Sequence, residues 1–384
     1  MKAIVNGHIL LPDAEITGQA LLFDRQVVGV VSDDEARERT GEIIDARGMY
    51  VSPGLIDTHT HGYAGVEFVD PEPGCIRKAA LALPETGVTS FLVTTASDPW
   101  PVLDRVFEES RNLREESRSP AFCGAEILGV HAEGPFLNRE RKGAMDERYI
   151  CSFDLDKILP YKDIIRIITV APELPGGIGF IRAIRERTDI RLSMGHTDST
   201  FDEAMAGFRA GVTRVTHLFN AMSPLRHRAP GAVGAALTTD VYTELIGDTH
   251  HVSADLYPLL IRAKGNKLVL VTDACRYIGM SEGEYEFNGE RFIIEDSLCK
   301  LADGTICGSI LTMNIGVRNL RDYGHIPMYE AARIGSLNAA ESCGAEANKG
   351  SLEPGKDADI VLMDEECVVW KTFVRGMCKY IRQS

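Results

Sequence analysis

Between residues 54 and 274 one pattern recurs eight times: a short apolar run that ends in polar residues. The runs are GLIDTHTH (54–61), VTSFLVTTA (88–96), AEILGVHAEG (125–134), IRIITVAPE (165–173), IRLSMGHTD (190–198), TRVTHLFN (213–220), YTELIGD (242–248) and LVLVTDA (268–274). Runs of this length, rich in Val, Ile and Leu, read as buried strands. Segments of helical composition and period lie between them, at 75–86, 102–117, 180–188, 201–210 and 254–265. Strand and helix alternating over about 250 residues predicts an α/β fold, a (β/α)8 barrel of TIM type, with its chemistry at the C-terminal ends of the strands.

Both ends of the chain break that pattern. Residues 1–51 carry short alternating runs (KAIVNGHILL, ALLFDRQVVGVV, GEIIDARGMYV) interrupted by Gly, Asp and Pro, and residues 350–384 return to strand and turn chemistry in GSLEPGKDADIVLMDEECVVWKTFVRGMCKYI. The expected organisation is a small β-sandwich domain formed by 1–51 and 350–384, with a barrel of 52–349 inserted between its halves. A chain of 384 residues, 44% hydrophobic, can bury cores for both.

Composition narrows the function. A formal charge of −15 argues against nucleic acid and anionic membrane surfaces, which attract basic fields. A small anionic substrate stays open, because local groups decide once distant charges are screened over about 8 Å. The start MKAIVNGHIL is broken by Asn6-Gly7-His8, and no apolar run approaches a membrane span, so a cytoplasmic protein is expected. Nine cysteines, an odd number without a Cys-x-x-Cys pair, read as reduced thiols. Cys275, two residues after Asp273, is the one placed to face a site, although packing is the simpler reading.

The polar ends of five runs supply His59, His61, Glu133, His196, His217 and Asp273. Imidazoles and carboxylates are the side chains with which a divalent transition metal is held to activate water, so a metal-dependent hydrolase is expected, with ligands from strands 1, 3, 5, 6 and 8. His59 and His61 are two residues apart and leave the same face of an extended strand. One histidine at a strand end is commonly a hydrogen-bonded structural residue; an ordered set at five strand ends points to a shared ion.

The strings PGLIDTHTHGYAG, HAEGPF, GHTDS, THLFNAM, VTDA and GSLEPGKDADIVL run along almost the whole chain. In them the chain resembles the N-acetylglucosamine-6-phosphate deacetylases of the amidohydrolase superfamily. The resemblance implies removal of the N-acetyl group of N-acetylglucosamine 6-phosphate, giving glucosamine 6-phosphate and acetate. It implies Glu133, His196 and His217 around one metal, Glu133 bridging to a second at His59 and His61, and Asp273 as the acid/base. One or two divalent ions per subunit are expected, Zn2+ first and Fe2+ second. Substrate contacts carried over by resemblance are Asn220, Ala221, His251, Ala144, Met145, the Cys307-Gly308-Ser309 segment, and Arg228 on the phosphate; a homodimer is implied as well.

Three departures bear on the substrate. Met145 stands where the family commonly has His or Gln, Thr249 where Gly is frequent, and Cys275-Arg276-Tyr277 where small residues are usual; together they are expected to reshape the pocket. Alternatives are a deacylase of another N-acyl hexosamine phosphate, a cyclic-amide hydrolase or deaminase, and a non-catalytic sugar-phosphate binder. The last has no use for six metal-binding side chains.

Overall fold

The computed structural model describes every residue except Gly279, Asn288, Gly289, Asp296, Ser297, Asp303, Thr305 and Ser384, and leaves aside the side chains of Phe287, Glu290, Ile306 and Cys307. Eight strands, β1 (Leu55–Thr60), β2 (Val88–Thr95), β3 (Glu126–Glu133), β4 (Ile165–Val170), β5 (Arg191–Met194), β6 (Val212–Val215), β7 (Tyr242–Ile246) and β8 (Leu268–Val271), lie side by side in sequence order. Every neighbouring pair is parallel. All eight residues of β2 and of β3 are buried, as strands covered on both faces must be. The ring closes where β8 meets β1: Asp273 N–H donates to the His59 carbonyl and His61 N–H to the Ala274 carbonyl, each at 2.8 Å. Asp57 spans the same seam, its Oδ2 accepting from the Thr272 hydroxyl at 2.6 Å.

The outer helices follow from local chemistry. Trp100–Ser117 buries Leu103, Val106, Phe107, Ser110 and Leu113, a stripe at three- and four-residue spacing. Phe201–Ala210 starts from a capping box in which the Thr200 hydroxyl accepts from Glu203 N–H and the Glu203 carboxylate takes Thr200 N–H. The expected helices at 75–86 and 254–265 begin or end in 3-10 turns, at Leu83–Thr86 and Ala254–Leu256.

Two sheets form the sandwich. Lys2–Val5, Ala20–Phe23, Val27–Val31 and Ile43–Asp45 make one, and His8–Leu11, Ala14–Ile16, Tyr50–Pro53, Ile360–Met363, Val369–Val374 and Met377–Ile381 make the other. Ile360–Met363 pairs antiparallel with Tyr50–Pro53, so the chain ends share one sheet. Ile4, Leu21, Phe23, Val51, Ile360 and Phe373 belong to the core between them.

A further four-stranded antiparallel sheet, Gly283–Phe287, Glu290–Glu295, Leu298–Leu301 and Ile306–Ser309, follows β8 and was outside the eight-run expectation. Its apolar side packs Phe292, Ile294 and Cys299 against Cys275 and Tyr277.

Sandwich and barrel are joined by Lys349, 3% exposed, whose ammonium reaches Glu126 at 2.7 Å, Asp359 at 2.8 Å and Asp357 at 3.0 Å. Removing a buried cation leaves uncompensated charge, at a cost of about 3–5 kcal/mol for one broken pair. Lys349→Met is therefore expected to lower the unfolding free energy by at least about 3 kcal/mol in urea titration. A loss under about 1 kcal/mol would mean that these carboxylates lean on other partners.

Candidate active site

The side chains expected at the strand ends converge at the C-terminal mouth of the barrel, around a cavity of about 330 Å³. The backbone bends to bring them there. His196, His217 and Asp273 have φ of 45°, 27° and 50°, a left-handed region costing non-glycine residues about 1–3 kcal/mol each. Gly195 admits the turn at the end of β5, since a Cβ there would lie 2.7 Å from Thr216 Cβ and 2.9 Å from Thr169 Cγ2.

Two donor sets result, and Glu133 belongs to both. In the first, Glu133 Oε2 lies 3.3 Å from His59 Nε2 and 3.0 Å from His61 Nε2, while Asp273 Oδ1 lies 3.3 Å and 3.2 Å from the same nitrogens. In the second, Glu133 Oε1 is 3.1 Å from His196 Nε2 and 2.9 Å from His217 Nε2, and those nitrogens are 3.1 Å apart. Tetrahedral ligands held about 2.0–2.1 Å from zinc are about 3.3–3.4 Å from one another, so both sets are close to the size a first-row ion requires. His59 Nε2 is fully buried without a hydrogen-bond partner, as a nitrogen reserved for a metal would be. The first set offers four donors and the second three, which leaves an open position on the cavity side for water or substrate.

Beneath these donors lies a polar layer that fixes their orientation. Glu244 Oε2 accepts from His59 Nδ1 at 2.9 Å and from His217 N–H at 3.0 Å, so one carboxylate holds a member of each set. Arg214, wholly buried, donates to Glu244 Oε1 at 2.7 Å and to the Thr58 hydroxyl at 3.2 Å. His196 Nδ1 donates to the Arg141 carbonyl at 2.9 Å. An acceptor at Nδ1 puts the proton there and leaves the Nε2 lone pair for an ion. His131 Nδ1 lies 3.1 Å from the Thr58 carbonyl, and its Nε2 accepts from the Thr169 hydroxyl at 2.8 Å. Burial and the neighbouring His59 charge push its pKa down to about 3, so this ring is neutral.

Glu244, Arg214 and His131 were missed in the sequence, although a signal was present. A charged residue inside an apolar run (TRVTHLFN, YTELIGD) is costly unless paired, and His131 shares the face of Glu133 two residues on.

Of the expected substrate contacts, Ala144, Met145, Asn220, Ala221, His251 and Gly308 line the cavity. Asp248 Oδ2 takes His251 Nδ1 at 2.6 Å, which leaves Nε2 for a ligand. The other contacts are placed differently. Arg228 stays out of the cavity lining: Leu225 to Arg228 form an exposed loop, and among the described residues its guanidinium meets only His227. Ser309 is fully buried and outside the cavity lining, its hydroxyl donating to the Thr272 carbonyl at the closing seam. The Cys307 side chain lies outside the described residues.

The three departures also resolve. Met145 Sδ accepts from Ser97 N–H at 3.4 Å and packs with Leu137 and Ile150, giving the cavity an apolar wall. Thr249 lies outside the cavity at φ 69°, costly for a β-branched residue, with its N–H on the Tyr257 hydroxyl at 3.0 Å. Arg276 and Tyr277 are outside the cavity lining: Arg276 is drawn to Asp70 at 2.6 Å and to the cavity-lining Glu67 at 3.3 Å, and the Tyr277 ring packs tilted against Phe292. Cys275 both lines the cavity and packs with Cys299; a hydrogen bond with Cys299, together with burial, holds its thiol well above the usual range.

A family model for the amidohydrolase family matches residues 50–378. The N-acetylglucosamine-6-phosphate deacetylase of Bacillus subtilis (strain 168) is 35% identical over 100% of this chain and 95% of its own. The N-acetylgalactosamine-6-phosphate deacetylase of Escherichia coli O157:H7 is 31% identical over 96% and 98%. The crystal structure of N-acetylglucosamine-6-phosphate deacetylase from Pasteurella multocida superposes with a TM-score of 0.92 at 30% identity, covering 99% of this chain and 100% of that one.

Metal loading should depend on pH with a definite sign. In the metal-free protein burial disfavours a charged His61, but Asp273 and Glu133 outweigh it and raise its pKa to about 10. The His59 ring is raised by the same carboxylates against its burial. Protons therefore compete with the ion below that pH, and binding releases them. Apparent affinity for Zn2+ should rise between pH 6 and pH 9, by roughly tenfold or more per unit while one proton is displaced; chelator competition measures it, and a flat profile would contradict the scheme. Glu244→Gln should weaken Zn2+ binding about 10–100-fold at fixed pH, the usual effect of losing a residue behind a ligating histidine.

Proposed function

The chain belongs to the amidohydrolase family, and from that premise we propose that it hydrolyses the N-acetyl amide of N-acetylglucosamine 6-phosphate, giving glucosamine 6-phosphate and acetate. The observation that carries this reading is the pair of donor sets sharing Glu133 at the mouth of a cavity of about 330 Å³, which also holds His251 and Asn220. A volume of that size suits a ligand no larger than a single phosphorylated sugar.

Amidohydrolases are metal-dependent, and these donors would hold one or two ions: His59, His61, Glu133 and Asp273 would hold one, and Glu133, His196 and His217 the other. Zinc is the first choice and ferrous iron the second, as both suit mixed imidazole and carboxylate donors. A divalent ion there acidifies water and polarises a carbonyl oxygen. Asp273 moves the proton. Its Oδ1 sits among the histidine nitrogens while, among the described residues, no hydrogen bond engages Oδ2, so Oδ2 takes a proton from the attacking water and delivers it to the departing amine. Burial pushes this carboxyl's pKa up, but the His59 and His61 charges bring it below the usual range, so position and not basicity recommends it.

His251 presents Nε2 to the substrate with Asp248 behind it, and Asn220 adds an amide. Arg228 is exposed on its own chain, and in a homodimer it would be the cation offered to a phosphate in the partner subunit's site. A second reading, supported by the similarity to the N-acetylgalactosamine-6-phosphate deacetylase, is an N-acetylated hexosamine 6-phosphate of the galacto series. A cytoplasmic place is consistent with the absence, among the described residues, of a helix long and apolar enough to cross a membrane.

Acetate release by the metal-loaded protein is the test, with N-acetylglucosamine 6-phosphate, N-acetylgalactosamine 6-phosphate and unphosphorylated N-acetylglucosamine as parallel substrates and a chelator control. Chelator-sensitive turnover of the first above the other two is expected; no turnover of either phosphate would end the deacetylase reading. Asp273→Asn should retain metal by elemental analysis yet lose about 10²–10⁴-fold in kcat. A near-normal rate would remove Asp273 from proton transfer.

A further inference from the structure

A second cavity, of about 480 Å³, opens at the opposite end of the barrel, where the first residues of β3 and β4 meet the sandwich. Its charge runs against that of the molecule. In a chain of net charge −15, Arg25, Arg118, Arg166, Lys349 and Arg375 line it, against Glu126 and Asp357.

Part of this is the clamp already described. Lys349 is saturated by three carboxylates, and Arg118 Nε donates to Glu126 Oε1 at 3.0 Å. Those acids leave little for the remaining cations. Arg375 lies 3.6 Å from Glu126 and 3.7 Å from Asp357, and its buried Nε has no hydrogen-bond partner. Among the described residues Arg166 donates only to the Leu128 carbonyl, at 3.3 Å. Among the described residues no hydrogen bond or ion pair engages the guanidinium of Arg25, and none engages the side-chain amide of Asn348, which also lines the cavity.

We propose that this cavity binds a phosphorylated small molecule of sugar-phosphate size, its phosphate on Arg25, Arg166 and Arg375 and its hydroxyls on Asn348. Guanidinium forks match a phosphate two oxygens at a time, and three of them suit a dianion better than a single carboxylate. The volume falls within the range of about 300–1,000 Å³ typical of small-molecule sites, well beyond what an inorganic ion fills. Occupation would tie Arg25 and Arg375 of the sandwich to Arg166 of β4, beside the strand that ends in Glu133.

Calorimetric titration of the full-length, metal-loaded protein with glucose 6-phosphate, which has no amide to cleave, and separately with inorganic phosphate tests this. Arg25→Gln combined with Arg166→Gln should weaken one class of glucose 6-phosphate sites at least tenfold, while kcat and KM for the acetylated sugar phosphate stay within twofold. Asn348→Asp, at an exposed residue, should weaken the same class at least tenfold by adding a negative charge to the cavity that holds the phosphate dianion, and it decides the matter if the double variant folds poorly. Unchanged binding in the folded variants overturns the proposal. Inorganic phosphate binding this class as tightly as the sugar phosphate overturns it equally, because the cavity would then read the anion alone.

Discussion

One carboxylate beneath the site governs the geometry above it. Glu244 accepts from the ring of His59 and the backbone of His217, and Arg214 holds it from below. Burying an ion costs several kcal/mol unless its partners replace water. Burial pushes the Glu244 pKa up, yet the His59 charge and Arg214 bring it to about 2, so the carboxylate stays ionised. Arg214 is served less completely, since its Nε and Nη1 have no hydrogen-bond partner. Apolar side chains of similar volume would often stabilise such a core by about 1–4 kcal/mol, but they would leave the His59 ring free to turn. The barrel interior here serves orientation at some expense of stability.

The same preference appears in the layer around it. Thr169 lies 2.9 Å from Thr216, which lies 2.6 Å from Ser193, a chain of hydroxyls that ends on His131. Such networks hold side chains in one arrangement only when each member is satisfied. Above them the left-handed turns at His196, His217 and Asp273 aim three donors inward from strands that would otherwise carry them past the cavity. Strain of this kind persists where its surroundings over-determine it.

Much of this was legible in the residues, for stated reasons. Each of the eight runs overlaps one of β1 to β8 and carries on into the turn at its C-terminal end, because a parallel strand covered on both faces must be apolar until it reaches the mouth. His59, His61, Glu133, His196, His217 and Asp273 stood out because each interrupts such a run at its last residues. What stayed hidden depended on partners far along the chain. Nothing near Arg214 in sequence reveals Glu244, and nothing near Arg276 reveals Asp70, 206 residues away. Arg228 could be matched to a motif but not placed, since loop direction is not encoded by residue type. The antiparallel sheet after β8 carried hairpin pairs, Asn-Gly at 288–289 and Asp-Gly at 303–304, that the barrel count passed over.

The seam between β8 and β1 has a consequence in time. Thr272 and Asp57, which join there, are 215 residues apart. At translation rates of about 5–20 residues per second, the histidines of β1 leave the ribosome roughly 10–40 s before Asp273 does. Throughout that interval a nascent chain offers a bare His-x-His pair, a low-selectivity ligand open to whichever cation is abundant. The donor set is therefore complete only in the finished ring, and Asp273 is the last of its members to be made.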